Sequence, residues 1–213
     1  MVLSSSIEEK LKRFIEVFGM VTERHIFRFF RNYSREIIQY HLIRLVQEHK
    51  IAVFEKNDKG YSRKTKEFQY WFKNGMENDW LWCDERYFKK IDPAELEQRR
   101  DLWKALDAMV IFKENQVTDF VLDSMPHNLV FITSDSVIHV VTVFRECNLD
   151  GMIGLVRNYI KNDKFGKDAK GIDSVAVVEN EAQAVKIASA IGHFNVFLEI
   201  DDLGKLANQW AIG

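Results

Sequence analysis

The sequence predicts a chain of two folded parts with different architectures. An α+β unit of three short helices closed by a β-hairpin occupies residues 1–66, and a mixed α/β domain occupies residues 92–213. Three observations lead there. Helix-start signals stand at Ser6, Thr22 and Ser34, each followed by apolar residues at helical spacing. A turn sequence, Lys56-Asn-Asp-Lys-Gly60, separates two short strand-like runs. Charge also divides: residues 1–75 carry 15 Lys and Arg against 9 Asp and Glu, a net +6, while the remainder carries 15 against 23, a net −8. A basic first third and an acidic remainder are suited to different partners, and the basic third is the part that can approach phosphates.

Each element follows from local chemistry. Ser6-x-x-Glu9 forms a capping box, Leu11, Phe14, Ile15 and Phe18 supply the apolar stripe, and Gly19 ends the helix. Thr22 starts a second helix with Ile26, Phe29 and Phe30, which ends in Arg31-Asn-Tyr-Ser34. Ser34 caps a third helix whose Ile38, Leu42 and Leu45 share one face, flanked by Ile37 and Val46. On the opposite face lie Glu36, Gln39, Tyr40, Ile43, Arg44 and Gln47. The run Ile51–Glu55 reads as a strand, and Tyr61–Thr65 as its returning partner.

Three helices and a hairpin in this order resemble a winged helix-turn-helix module. The run IIQYHLIRLVQEHKI is similar to the recognition helix of bacterial winged-helix regulators, with His41, Leu42, Arg44, Leu45 and Ile51 on the pattern. His49 stands where those proteins place Gly, so the left-handed cap falls on a residue that tolerates it less well. The resemblance covers roughly residues 5–66. It implies double-stranded DNA as partner, with Arg35 in the first turn of the helix and Gln39, Tyr40, Ile43, Arg44 and Gln47 toward base edges. Lys56, Lys59, Arg63 and Lys64 of the hairpin would take phosphates.

Residues 67–91 hold Phe68, Tyr70, Trp71, Phe72, Trp80, Trp82, Tyr87 and Phe88. The segment reads as aromatic interdomain packing; a base-stacking platform would alternate aromatic with basic residues, and this run does not. Asp92-Pro93-x-Glu95 then opens a helix expected to reach about Val110. Strands follow near 117–122, 129–134 and 137–144. After a helix at Leu149–Lys161 come a strand at 174–179, a helix from Asn180 to Gly192, a strand at 195–200 and a final helix from Asp201 or Asp202.

That α-β-β-β-α-β order resembles the restriction-endonuclease-like core, and the whole chain resembles the replication-relaxation type proteins of plasmids and integrative elements. In such nucleases a Pro-Asp pair precedes an acidic residue and a Lys on the next strand, and the carboxylates hold a divalent metal that activates water. Here Pro126 is followed by His127 and Asn128, and Val140-Val-Thr-Val143 stands where the acid and Lys belong. The implied fold is therefore that of a degenerate nuclease, without catalytic or metal residues and without cofactor. Asp119, Asp123 and Asp135 read as solvated loop acids, and His127 and His139 as half-buried histidines.

Other chemistries lack their motifs. Phe165-Gly-Lys-Asp-Ala-Lys-Gly171 has no Gly-Lys-Ser/Thr ending for phosphate binding, and no nucleophile elbow surrounds a Ser or Cys. The two cysteines, Cys83 and Cys147, form no CxxC pair, as expected in a reducing cytoplasm. Met1–Ser6 is short and polar, unlike a secretion signal, and no apolar run spans a bilayer. The expected protein is a cytoplasmic, non-catalytic, sequence-specific DNA-binding homodimer. It would act as a regulator or as a replication or transfer accessory of a mobile element, with a protein partner for its acidic half. The alternatives are a protein-interaction or dimerisation module without DNA binding, and a metal-dependent nuclease.

Overall fold

The computed structural model describes residues 6–57, 60–63, 80–87, 91, 93–113, 117–123, 126–162 and 172–211. The chain divides into two compact units, Met1–Arg99 and Arg100–Gly213. Among the described residues no helix is long and apolar enough to cross a membrane.

The first unit runs α1 (Ile7–Phe18), β1 (Met20–Thr22), α2 (Glu23–Phe29), α3 (Arg35–Gln47), β2 (Ala52–Asn57), β3 (Gly60–Arg63) and β4 (Trp80–Cys83). The expected caps form. Ser6 and Glu9 make a reciprocal box at α1, and Ser34 Oγ accepts from Ile37 N. At α2 the box partner of Thr22 is His25, whose Nδ1 takes the role usually filled by a Glu carboxylate. Gly19 ends α1 at φ +71°, where Arg86 and Arg99 donate to the orphan carbonyls of Glu16 and Phe18 at 2.9 and 2.7 Å. Leu11, Phe14, Ile15, Ile26, Ile38, Leu42 and Leu45 are completely buried and form the core between the helices.

The antiparallel sheet has the order β1-β4-β2-β3. Trp82 of β4 pairs with Val21 on one side and Val53 on the other and is completely buried. The aromatic segment expected between domains thus contributes an inner strand to the first unit. Its four residues are apolar on both faces, so they carry no alternation that would mark a strand in the sequence. Tyr87 is buried in the same unit, whereas Phe68, Tyr70, Trp71, Phe72 and Phe88 lie outside the described residues.

α4 (Pro93–Lys113) contains the point of division and starts at the expected proline; its expected cap, Asp92, lies outside the described residues. The second unit continues with β5 (Val117–Leu122), β6 (Leu129–Thr133), β7 (Ile138–Val143), α5 (Leu149–Lys161), β8 (Ile172–Val178), α6 (Glu181–Ala190), β9 (Val196–Ile200) and β10 (Leu206–Trp210). Its six-stranded mixed sheet has the order β10-β9-β8-β7-β6-β5. β5, β6 and β7 form an antiparallel meander, β7, β8 and β9 are parallel, and β10 returns antiparallel. Phe144, Val156, Ala176, Ala184, Ile187 and Phe197 belong to the apolar layer that α5 and α6 form with the sheet.

The expected final helix is replaced by β10. Asp201 caps a tight turn instead, accepting from Lys205 N at 2.7 Å, with Gly204 at φ +70°. An Asp-Asp-Leu-Gly sequence satisfies a turn as well as a helix start, because the same side-chain oxygen serves both. α4 also extends to Lys113 rather than Val110, and α6 stops at Ala190, before Gly192.

Candidate nucleic-acid interface

α3 is held by its inner residues Ile38, Leu42 and Leu45, which are completely buried. Glu36, Ile37, Tyr40 and Gln47 are exposed, Tyr40 at 58% and Ile37 at 47%, while Gln39 and Ile43 are half-buried on the shoulders. Arg35 is exposed, and its guanidinium lies 5.0 Å over the Phe27 ring of α2. Glu36 is held below the usual carboxylate range by hydrogen bonds from its own backbone and from Ser34.

The helix ends as its sequence requires. His49 takes φ +58°, His49 N donates to Val46 O, and Lys50 N donates to Leu45 O. This paired pattern is a Schellman motif, formed here around a His. It returns the chain so that Lys50 reaches Glu48 at 2.5 Å.

Arg44 is not directed outward as a lone cation. It lies 3.3 Å from Glu8 of α1 and 3.2 Å from Glu48, and Glu8 also receives His41 at 3.3 Å and Lys50 at 3.7 Å. The hydrogen bond from Arg44 to Glu48, reinforced by the Glu8 charge, raises the guanidinium pKa further. Glu48 is lowered by Lys50 and Arg44, and Lys50 is raised, chiefly by Glu48.

In the hairpin, Lys56 pairs with Tyr61 and Phe54 with Arg63, whose side chain is exposed. The side chain of Lys56, and Lys59 and Lys64 entirely, lie outside the described residues. Sequence reasoning left out Arg28, in the last turn of α2, and Arg31, exposed in the turn before α3. An arginine every three or four residues from Arg24 to Arg35 was the available signal.

The residues of the second unit that the nuclease resemblance singles out in the sequence make local contacts. Pro126 is buried, and His127, only 3% exposed, meets Thr142 Oγ1 through Nδ1 at 2.7 Å with its ring edge-on to Tyr159. Burial pushes the His127 pKa down to about 4. Asn128 Oδ1 accepts from Val143 N at 2.8 Å, and Asn128 N donates to Val141 O, so the residue fastens β6 to β7. Asp119 accepts from Phe120 N, and Asp135 from the Thr133 hydroxyl. Among the described residues no group of three or more His, Cys, Asp or Glu is placed to hold a metal ion.

The two expected half-buried histidines are both fully inside. His139 is completely buried, stacked on Phe131, with Nε2 3.2 Å from Thr133 Oγ1 and Nδ1 3.4 Å from Asp173. Burial raises the Cys83 thiol pKa far above its ordinary value, and Cys147 is exposed. The loop at 165–171 lies outside the described residues.

No family model matches the chain, and no curated protein matches it. Among solved structures it is similar to a repair endonuclease from Pyrococcus abyssi, at 12% identity and TM-score 0.29, over 79% of this chain and 96% of that one. A likeness at that level carries no argument about chemistry.

Proposed function

We propose that the first unit is a winged helix-turn-helix module that binds double-stranded DNA, and that the chain is a non-catalytic DNA-binding protein. The observation that carries this reading is the composition of α3 and of the hairpin that follows it in the chain. A Ser34-capped helix offers Gln39, Tyr40, Ile43 and Gln47 away from its buried stripe. Six residues after its end the chain is already in a hairpin whose sequence holds Lys56, Lys59, Arg63 and Lys64. Gln39 and Gln47 can make paired hydrogen bonds to adenine edges, and Ile43 can meet a thymine methyl. Arg31, Arg35 and the hairpin cations serve the phosphates. In this reading, the sequence resemblance to replication-relaxation proteins implies a role in the regulation, replication or transfer of a mobile element.

The acidic second unit supplies self-association or a partner contact in this reading. Asn128 in particular spends its side chain on Val143 N, which supports the absence of nuclease chemistry. A homodimer would read half-sites roughly one helical turn apart.

Selection of bound duplexes from a random pool, followed by anisotropy titration of the winning sequence, tests the proposal. Tyr40→Ala combined with Gln47→Ala should weaken specific binding by about 10- to 100-fold, as losing one or two base contacts does. Unaltered affinity and sequence preference would remove α3 from the interface. A second reading, docking of a protein, is favoured by the exposure of Ile37 and Tyr40 together. Salt separates the two: phosphate contacts weaken steeply with ionic strength, and an apolar contact does not.

A further inference from the structure

Glu8 is one of nine acidic residues in the net-basic first third of the chain, and its place is specific. It lies in the first turn of α1, where the helix dipole favours a carboxylate. Its side chain is 16% exposed, against 43% for Arg44 and 41% for Lys50. Arg44 and His41 both converge on its Oε2 at 3.3 Å, and Lys50 approaches Oε1 at 3.7 Å. Glu48 closes the group by reaching Arg44 and Lys50. Two carboxylates therefore balance two permanent cations, with His41 beside them.

This cluster is not needed to hold α1 on α3. The two helices bury Leu11, Phe14 and Ile15 of α1 and Ile38, Leu42 and Leu45 of α3 completely, and partly exposed ion pairs add little to stability. The electrostatic consequence is larger than the mechanical one. Arg44 is one turn from Tyr40 and borders the outward face, so a phosphate there would compete with Glu8 and Glu48 for the same guanidinium.

Resting on the DNA-binding reading, we infer that Glu8, assisted by Glu48, is an internal substitute for a backbone phosphate that masks Arg44 and Lys50 and restrains DNA affinity. The face that engages DNA in the unmodified protein is accordingly centred on Tyr40 and Gln47 and the hairpin. Arg44 is a reserve contact, released only when its carboxylate partners are removed or displaced.

The test uses the full chain and one duplex, with affinity measured over a range of salt. Glu8→Gln with Glu48→Gln should raise affinity roughly 3- to 10-fold at low salt and steepen the log–log salt slope by about 1 to 2, as one or two added phosphate contacts do. Glu9→Gln is the control for Glu8→Gln alone: it makes the same single charge change one residue away, where the side chain bonds Ser6 N and not Arg44, Lys50 or His41. It should leave the slope as it was. Arg44→Ala should cost under about 3-fold in the unmodified protein, yet remove most of the gain in the Glu8→Gln, Glu48→Gln background, with Lys50→Ala removing the rest. The inference is overturned if Glu8→Gln and Glu9→Gln behave alike, or if Arg44→Ala alone costs more than about 10-fold. Binding that is intact and salt-dependent beside such a result leaves the DNA reading standing; no duplex binding by any variant removes both.

Discussion

Replacing His127 by Asn should flatten the acid sensitivity of the second unit. His127 is 3% exposed and its pKa is lowered from 6.5 to about 4, principally by burial. The folded chain thus prefers the neutral ring, while the unfolded chain takes up a proton once the pH drops below the ordinary value. Stability from this residue is complete above about pH 6.5, falls as the pH drops toward 4, and changes no further below that. Between about pH 7 and pH 4.5 the loss is roughly 2 kcal/mol, from 1.36 kcal/mol per unit of displacement. Asn places a polar atom near the position of Nδ1, so the partner of Thr142 is kept while the titration is removed. The assay is urea unfolding of the full chain at both pH values, read by circular dichroism. The Asn variant should be less stable at neutral pH, because a ring is lost against Tyr159. Its decline on acidification should nevertheless be smaller than that of the parent by about 2 kcal/mol. Equal declines in both proteins would show that His127 is not buried neutral.

Three further substitutions probe the rest. Trp82→Ala should destabilise the first unit by roughly 3–5 kcal/mol in thermal unfolding, since the indole is wholly buried on an inner strand of the sheet; a linker tryptophan would cost far less. Gly204→Ala should cost about 1–3 kcal/mol by the same measurement, because the residue sits at φ +70° and an added Cβ would fall 2.3 Å from Asp107 Oδ1. Asn128→Ala leaves Val143 N without its acceptor and should cost about 1–3 kcal/mol. Plasmid DNA with magnesium or manganese should stay intact with the parent protein, and metal-dependent cleavage lost on Asn128 substitution would reverse the non-catalytic reading.

Local chemistry made much of the fold legible. Ser6, Thr22, Ser34 and Asn180 cap the helices assigned to them, and His49 accepts the left-handed conformation in place of Gly. The order from α4 through β9 follows the sequence reading strand by strand. What escaped was non-local or ambiguous. β4 has no alternation because both its faces are covered, and β10 was hidden by an Asp that serves turn and helix start alike. The outward face of α3 followed from helical spacing, but Glu8 lies 36 positions before Arg44 in the chain. No pattern within α3 could show that its arginine is paired. His127 and His139 look like ordinary polar residues until the sheet brings Thr142, Thr133 and Asp173 to them.

The central claim is that α3 and the β2–β3 hairpin form a duplex-binding surface, and salt-dependent binding of the full chain to a selected duplex tests it most directly. Log K should fall linearly with log salt at a slope matching roughly five to eight phosphates. Arg63→Ala should make the slope shallower by about 1 without changing sequence preference, while Tyr40→Ala with Gln47→Ala should erase that preference. Association that ignores salt, or that survives all three substitutions unchanged, would contradict the claim.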